Sequence, residues 1–139
     1  MIAEELMTRE PVTVTESTSI GDALIVLREE GIRHLPVVRG NDVIGILSDR
    51  DFSSIGASML SHPEGVERVR AQLTQPVSLL MTGGVVTADV DSELGDIMDL
   101  MIDEKLSAVP VVESGTTELV GIVSYLDILR ALRAIADQD

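Results

Sequence analysis

The sequence predicts an α+β fold in which two copies of a β-α-β-β-α unit pack around a pseudo-twofold axis. The first observation behind this prediction is an internal repeat, because four short motifs occur twice in the same order. They are Leu6–Thr8 and Leu80–Thr82, Ile20–Ala23 and Leu94–Ile97, Leu35–Val38 and Val109–Val112, and Gly45–Asp51 and Gly121–Asp127. The offset is 74 residues for three pairs and 76 for the fourth. The second observation is that the hydrophobic pattern indicates the same series of elements in each copy.

Each copy is predicted to begin with a short strand that leads into a helix. The β-branched runs Val12–Val14 and Val85–Thr87 indicate the strands. Ser17–Ser19 in the first copy and Asp91–Ser92 in the second are typical of a helix start. Asp22 stands three residues after Ser19, which resembles a capping box.

The remaining elements of each copy follow from apolar spacing. Gly31 is predicted to end the first helix. The helices are indicated by apolar residues spaced so that they share one face of a helix. They are Ile20, Ala23, Leu24 and Leu27 in the first copy, and Leu94, Ile97, Met98, Met101 and Ile102 in the second. Two strands joined by a turn come next, predicted at Leu35–Val38 with Val43–Leu47, and at Val109–Val112 with Leu119–Val123. A helix follows each hairpin, and the last one contains Leu126, Leu129, Leu132 and Ile135.

The repeat divides the chain into residues 1–60, a joining segment 61–76 and residues 77–139, which together form one module. Within the joining segment, Pro63 and Glu64 indicate a helix start and Pro76 a stop. The apolar side of that helix is predicted to hold Val66, Val69 and Leu73.

Composition excludes several classes of function. The chain has 24 acidic and 10 basic residues, a formal charge of −14, and therefore lacks the excess of cations with which proteins grip nucleic acid or anionic membranes. It has no cysteine, which excludes disulfides and thiolate chemistry. The first ten residues are acidic and hold no apolar core of a signal peptide, and no apolar run is long enough for a membrane span, so a soluble, cytoplasmic protein is expected.

The strongest chemical signal is a glycine, two hydrophobic residues, a serine and, three residues later, an aspartate. It places Ser48 and Asp51 in the first copy, and Ser124 and Asp127 in the second, where a strand gives way to a helix. A helix N-terminus favours an anion, and a carboxylate can accept both hydroxyls of a ribose diol. The alternative is a plain helix cap, worth about 1 kcal/mol. The two readings can coexist.

In these motifs the sequence resembles a tandem pair of CBS domains, also called a Bateman module, from Leu6 to about Arg130. The resemblance implies a regulatory module that binds AMP, ADP or ATP in a cleft between the copies, forms a homodimer and acts on an effector protein in trans. S-adenosylmethionine and NAD are alternative ligands, and no obligatory cofactor or metal is implied. A scaffold that dimerises without a ligand is the alternative function. Catalysis is not expected, since no nucleophile, base and orienting group stand at a recognisable spacing.

Carried over residue by residue, the resemblance implies two sites. The favoured site comprises Thr87, Ser107, Ala108, Ile122, Ser124 and Asp127, with Arg33 and His34 reaching the phosphates from the other copy. The second comprises Thr13, Ile46, Ser48, Arg50 and Asp51, with Lys105 from the other copy. The first is ranked tighter because arginine makes paired bonds to phosphate.

Each charged candidate also has a simpler interpretation. Arg33 can be an exposed rim residue, His34 a half-buried strand residue, and Arg50 a partner of Asp49 or Asp51. The charge is uneven along the chain, because residues 1–70 hold 12 acidic and 7 basic residues and residues 71–139 hold 12 and 3. The cations available to a nucleotide are therefore concentrated in the first copy.

Overall fold

A computed structural model describes residues 1–61 and 63–138, and of residues 57–61 it describes the backbone only. The helices are α1 (Ala3–Leu6), α2 (Ile20–Glu30), α3 (Asp49–Ser61), α4 (Gly65–Leu73), α5 (Leu94–Glu104) and α6 (Tyr125–Ala136), with a short 3₁₀ helix at Val77–Leu79. The strands are β1 (Thr8–Arg9), β2 (Val14–Thr15), β3 (His34–Arg39), β4 (Asp42–Ser48), β5 (Thr82–Gly83), β6 (Ala88–Asp89), β7 (Ala108–Val112) and β8 (Leu119–Ser124). This order confirms the α+β fold with two repeats.

The chain divides into two compact units. Unit 1 comprises Met1–Pro11, Asn41–Val43 and Val86–Asp139, and unit 2 comprises Val12–Gly40 and Ile44–Val85. Unit 1 contains the sheet β1-β8-β7-β6, and the other sheet has the order β2-β3-β4-β5. In each sheet a short strand runs parallel to the first strand of the hairpin, and a second short strand runs antiparallel to its other strand.

Both units have an apolar core between their helices and one face of their sheet. In unit 2 the buried cluster includes Ile20, Ala23, Leu27, Leu35, Val37, Leu47, Phe52, Ile55 and Val77. In unit 1 it includes Ala3, Leu6, Ile97, Met101, Val109, Val111, Val123, Ile128 and Ala131. The hydrophobic side chains that predict α2 and α5 thus lie largely in these cores, and Gly31 ends α2 in a left-handed conformation, as predicted.

The first motif of each copy does not complete its own copy's sheet. Strand β1 follows Met7 and pairs with Gly121 and Ile122 of the second copy, while β5 follows Met81 and pairs with Gly45 and Ile46 of the first. The segments before these strands are exchanged in the same way, since the Ala3 N–H donates to the Ser92 carbonyl and the Val77 N–H to that of Thr18. The sequence could not reveal this exchange, because the offsets between the motifs are the same whether the first motif pairs with its own copy or with the other copy.

Several predicted boundaries were wrong. The first short strand, Val14–Thr15, begins at the last residue of its β-branched run, and the second, Ala88–Asp89, lies directly after its run, because these are the residues that pair with β3 and β7. Glu93, and not Asp91–Ser92, precedes α5, since the Ser92 hydroxyl instead accepts the Asp89 N–H.

The segment that joins the copies also differs from the expectation. Helix α3 continues to Ser61, and α4 begins at Gly65, close to the predicted start. Val66, predicted on the apolar side of this helix, is exposed, whereas Val69 and Leu73 pack against the core of unit 2.

Candidate functional site

The doubled serine–aspartate motif has the same geometry in both units. In unit 1 the Asp127 Oδ2 atom accepts the Ser124 N–H at 2.8 Å and the Ser124 hydroxyl at 3.1 Å. In unit 2 the Asp51 Oδ2 atom accepts the Ser48 N–H at 2.7 Å and the Ser48 hydroxyl at 3.3 Å. Each aspartate therefore caps the helix that follows its strand, as the simpler interpretation predicts. One carboxylate oxygen in each pair is occupied by this cap.

The second oxygen is where the two aspartates differ. The Asp127 Oδ1 atom lies 3.8 Å from the Arg130 guanidinium, and the Asp127 side chain is 11% exposed. The Asp51 Oδ1 atom has no hydrogen bond or ion pair within the described part of the chain. Arg130 was missed at the sequence level, although its position one turn after Asp127 could have indicated it. At the corresponding place in the first copy stands Ser54, whose hydroxyl donates to the Asp51 carbonyl.

Several candidates of unit 1 lie on one face of its sheet. The register sets Ala108 opposite Ser124 and Pro110 opposite Ile122. Because side chains alternate along a strand, these four point away from the core face that holds Val109, Val111 and Val123. The Ser107 carbonyl accepts the Tyr125 N–H at 3.1 Å, which fixes the residue before β7 at the start of α6. Ser107, Ala108, Ile122, Ser124 and Asp127 are thus brought together.

Unit 2 repeats this arrangement with charged residues. The Arg33 carbonyl accepts the Asp49 N–H at 3.0 Å, which fixes Arg33 beside the start of α3. His34 follows as the first residue of β3 and is half-buried, and Arg33 is exposed. Burial lowers the pKa of His34, and the charge of Arg33 lowers it further, while Asp49 and Asp51 oppose the shift. His34 therefore lies within the field of the Ser48–Asp51 pair. The assignment of Arg33 and His34 to the Asp127 nucleotide stays a prediction.

The remaining candidates occupy strand ends and exposed turns. Thr13 and Thr87 lie immediately before β2 and β6. Ile46 is half-buried on the same face of β4 as Ser48. Lys105 ends α5 in the left-handed conformation, with φ of 56°. Arg50 is exposed and forms no ion pair with Asp49 or Asp51.

The glycine of each motif is explained by packing. A Cβ atom at Gly121 would overlap the Met7 side chain, and one at Gly45 would lie 2.5 Å from the Met81 sulfur. The close approach is thus made by the exchanged methionine.

Among the described residues no group of three or more histidines and carboxylates could hold a metal ion. None of the described helices has the length and apolar character required to cross a bilayer.

A family model described as the CBS domain matches residues 3–57 and 77–134. The chain belongs to the CBS domain family. The two matched ranges show that it is a tandem CBS pair, as the repeat indicates. Because a carboxylate at the strand-to-helix junction occurs in both CBS repeats, the two candidate sites have a common chemical basis.

Two solved structures of CBS pairs are similar over nearly the whole chain. The CBSX2 structure, in complex with AMP, is 27% identical, with a TM-score of 0.78 and coverage of 97% of this chain and 98% of that one. The CBS pair of MJ0100, in complex with 5′-methylthioadenosine and S-adenosyl-L-methionine, is 26% identical, with a TM-score of 0.79 and coverage of 96% and 97%.

Similar sequences also occur within longer proteins. Inosine-5′-monophosphate dehydrogenase of Methanocaldococcus jannaschii is 29% identical over 92% of this chain, which spans 23% of that enzyme. The 5′-AMP-activated protein kinase subunit gamma of Dictyostelium discoideum is 31% identical over 84% of this chain, which spans 20% of that subunit. This CBS pair thus corresponds to less than a quarter of each of these relatives.

Proposed function

We propose that this CBS pair is a regulatory sensor that binds an adenosine-containing nucleotide, AMP, ADP or ATP, and signals to an effector protein in trans. The observation that carries the proposal is the doubled aspartate. Each caps its helix through Oδ2, so Oδ1 takes no part in the cap: that of Asp51 has no partner among the described residues, and that of Asp127 is paired only with the exposed Arg130. In a scaffold protein the aspartate would only have to cap its helix, and an uncharged capping residue would be sufficient for that.

The nature of the ligand rests on the chemistry of the site and on the relatives. A carboxylate at a helix N-terminus suits a sugar diol, and the N-terminus suits a phosphate. CBSX2 is in complex with AMP, and MJ0100 with two adenosyl compounds. The proposed Asp127 site includes Thr87, Ser107, Ala108, Ile122 and Ser124, completed by Arg33 and His34, and the proposed Asp51 site includes Thr13, Ile46, Ser48 and Arg50, completed by Lys105.

The ranking of the two sites is part of the proposal. Arg33 and His34 offer a guanidinium and an imidazole to a phosphate at Asp127, whereas Lys105 offers a single ammonium group at Asp51. We therefore expect Asp127 to hold the tighter site. A ligand acts as a signal only if it binds two states of the module with different affinity, so the regulatory step requires a conformational difference.

Calorimetric titration with AMP, ADP and ATP tests the nucleotide and the diol together. Asp127→Asn keeps an oxygen that can accept the Ser124 N–H but removes the charged acceptor, and we expect about a 10- to 100-fold loss of affinity. The wild-type protein should bind 2′-deoxy-AMP more weakly than AMP by a similar factor. Asp127→Asn should bind the two nucleotides with nearly equal affinity, because the substitution and the missing hydroxyl remove the same contact.

The matched control is Asp51→Asn, which makes the identical change in the other repeat. If it abolishes the tight site while Asp127→Asn does not, the ranking is wrong. The sensor function is refuted if none of the adenine nucleotides, NAD or S-adenosylmethionine binds and none of them raises the melting temperature. The scaffold function then gains support. A true ligand at one hundred times its Kd should stabilise the fold by about 2.7 kcal/mol.

We also propose a homodimer through α6. Five large apolar side chains of this helix are exposed by 39–60%, and they are Tyr125, Leu126, Leu129, Leu132 and Ile135. Tyr125, Leu129 and Leu132 form one stripe, which lies beside the face that Ile128 and Ala131 turn to the core of unit 1. Leu129→Glu should give a monomer in sedimentation equilibrium, and Leu79→Glu, at another exposed leucine, should not.

A further inference from the structure

A cavity of about 640 Å³ lies within unit 2, between helices α2, α3 and α4. Its volume is in the range of pockets that hold small organic ligands. It is open to solvent and is lined by described residues of all three helices and of the segment that joins α2 to β3. None of the chemistry assigned to the proposed nucleotide sites explains a cavity among these helices.

The walls of the cavity are apolar. Leu27, Phe52 and Ile55 form buried parts of the lining and belong to the core of unit 2. The remaining apolar residues of the lining are half-buried, and they are Leu24, Ile32, Val69 and Leu73. Removing apolar surface from water is favourable by about 25 cal/mol per Å², so the lining favours a ligand with an apolar body.

Two cations stand among these apolar residues. Arg28 and Arg33 line the cavity, both are exposed, and neither has an ion pair within the described residues. Among the described residues of the lining, Asp49 is the one acidic residue, against two arginines. The described lining thus carries a net positive charge, in a chain with 24 carboxylates and 10 cations, and this local charge favours an anion.

A glycine forms part of the cavity wall. Gly56 lies inside helix α3 and lines the cavity, and a Cβ atom added there would meet no atom within 4 Å. A glycine inside a helix costs about 0.5–1 kcal/mol relative to alanine. Neither the packing nor the backbone of the described residues requires this glycine, and its place in the lining makes it a position at which a larger side chain can test the cavity.

The second repeat does not reproduce the charges. Through the 74-residue offset Arg28 corresponds to Ile102, and Arg33 corresponds to Ser107. The arginines are therefore not part of what the repeated fold requires. They belong to the repeat that also holds the cavity.

We propose that this cavity binds a small amphipathic carboxylate, with its apolar chain between α2, α3 and α4 and its carboxylate on Arg28 and Arg33. This site goes beyond the proposed nucleotide function and does not depend on it, although Arg33 is named in both. A guanidinium and a carboxylate form charge-assisted bonds, and the apolar chain displaces water from the lining.

The test is a titration of the full ¹⁵N-labelled chain with sodium octanoate, followed by amide chemical shifts. We expect saturable shifts concentrated at the end of α2, in α3 and in α4. The double variant Arg28→Gln, Arg33→Gln should bind octanoate at least 10-fold more weakly, and octyltrimethylammonium should bind the wild-type protein at least 10-fold more weakly than octanoate does.

Gly56→Leu should abolish the shifts while the protein stays folded, because the added Cβ has free space. Gly95→Leu is the matched control, since Gly95 also has free space but lies in α5, and it should bind octanoate normally. Absence of saturable shifts, normal binding to Gly56→Leu, or equal binding of the cationic analogue would each overturn the proposal. The nucleotide proposal is tested by calorimetry of AMP with the Asp51 and Asp127 variants. That experiment does not depend on octanoate binding, so either proposal can be refuted without the other.

Discussion

The Met7 side chain lies directly against the α-carbon of Gly121, in the space that a Cβ atom would occupy. Met7 stands at the head of the first copy, and Gly121 lies in the last motif of the second copy, yet both belong to unit 1. Met81 and Gly45 form the same contact in the other direction. This reciprocal contact explains why both the methionine and the glycine are repeated.

Gly121→Ala should destabilise the protein by about 1–3 kcal/mol, because the added methyl group overpacks the contact with Met7. Urea unfolding measures the loss. The double variant Met7→Ala, Gly121→Ala should lose less than the sum of the two single changes, since truncation of Met7 vacates the space that the methyl group enters. Gly56→Ala is the control, and it should stabilise by about 0.5–1 kcal/mol. Additive losses in the double variant would show that the overlap does not matter.

Lys105→Gly should stabilise the protein by about 1 kcal/mol. Lys105 ends α5 with φ of 56°, whereas the corresponding residue in the first copy is Gly31, with φ of 63°. A side chain in this left-handed conformation costs energy that glycine avoids. Gly31→Lys is the reciprocal change and should destabilise by a similar amount. Thermal unfolding of both variants checks the pair, and a loss of stability in Lys105→Gly would mean that the lysine side chain makes a contact that outweighs its backbone strain.

The stability of the protein should fall as the pH drops through the titration range of His34. Burial and Arg33 lower the pKa of this histidine from its usual 6.5, despite the opposing charges of Asp49 and Asp51. The unfolded chain then takes up a proton at a higher pH than the folded chain does, so the free energy of unfolding decreases below about pH 6.5. Above that pH the contribution is fully present.

Urea unfolding between pH 7.5 and 5.5, for the wild type and for His34→Ala, isolates this contribution. Alanine is the residue at the corresponding position in the second copy, Ala108, so the fold accepts it. The variant should show a shallower dependence on pH, because every contribution that does not involve His34 is common to both proteins and cancels in the comparison. Identical slopes would show that His34 has the same pKa in the folded and unfolded chains.

The repeat and the hydrophobic periods were sufficient to predict the elements, because helix and strand spacing depend on local sequence. They could not predict which unit each copy's first motif joins, since Leu6–Thr8 and Leu80–Thr82 are related by the same offset in either pairing. They also predicted α6 from an apolar stripe that proved exposed, with Ile128 and Ala131 in the core instead. Periodicity identifies an apolar face but does not say what covers it.

The candidate site was predictable only in part. Serine and aspartate three residues apart at a helix start must lie near each other, and the bond between them is present twice. The Arg130 contact with Asp127 depends on a side-chain conformation, and the left-handed Lys105 breaks the usual preference for glycine. Neither follows from local sequence preferences alone.

Asp51→Ala should cost about 1 kcal/mol of stability without any ligand, because the Ser48 N–H then loses its acceptor at the start of α3. Asp51→Asn should cost less than half of that, since an amide oxygen can replace Oδ2 and only the interaction of the charge with the helix N-terminus is lost. Urea unfolding of the ligand-free protein measures both. This difference separates the capping role of the aspartate from ligand binding, because Asn keeps the cap and removes the charged acceptor for a diol. If Asn is as destabilising as Ala, the negative charge and not the hydrogen bond stabilises the helix start, and a loss of nucleotide affinity in the Asn variants must then be compared with Asp51→Glu.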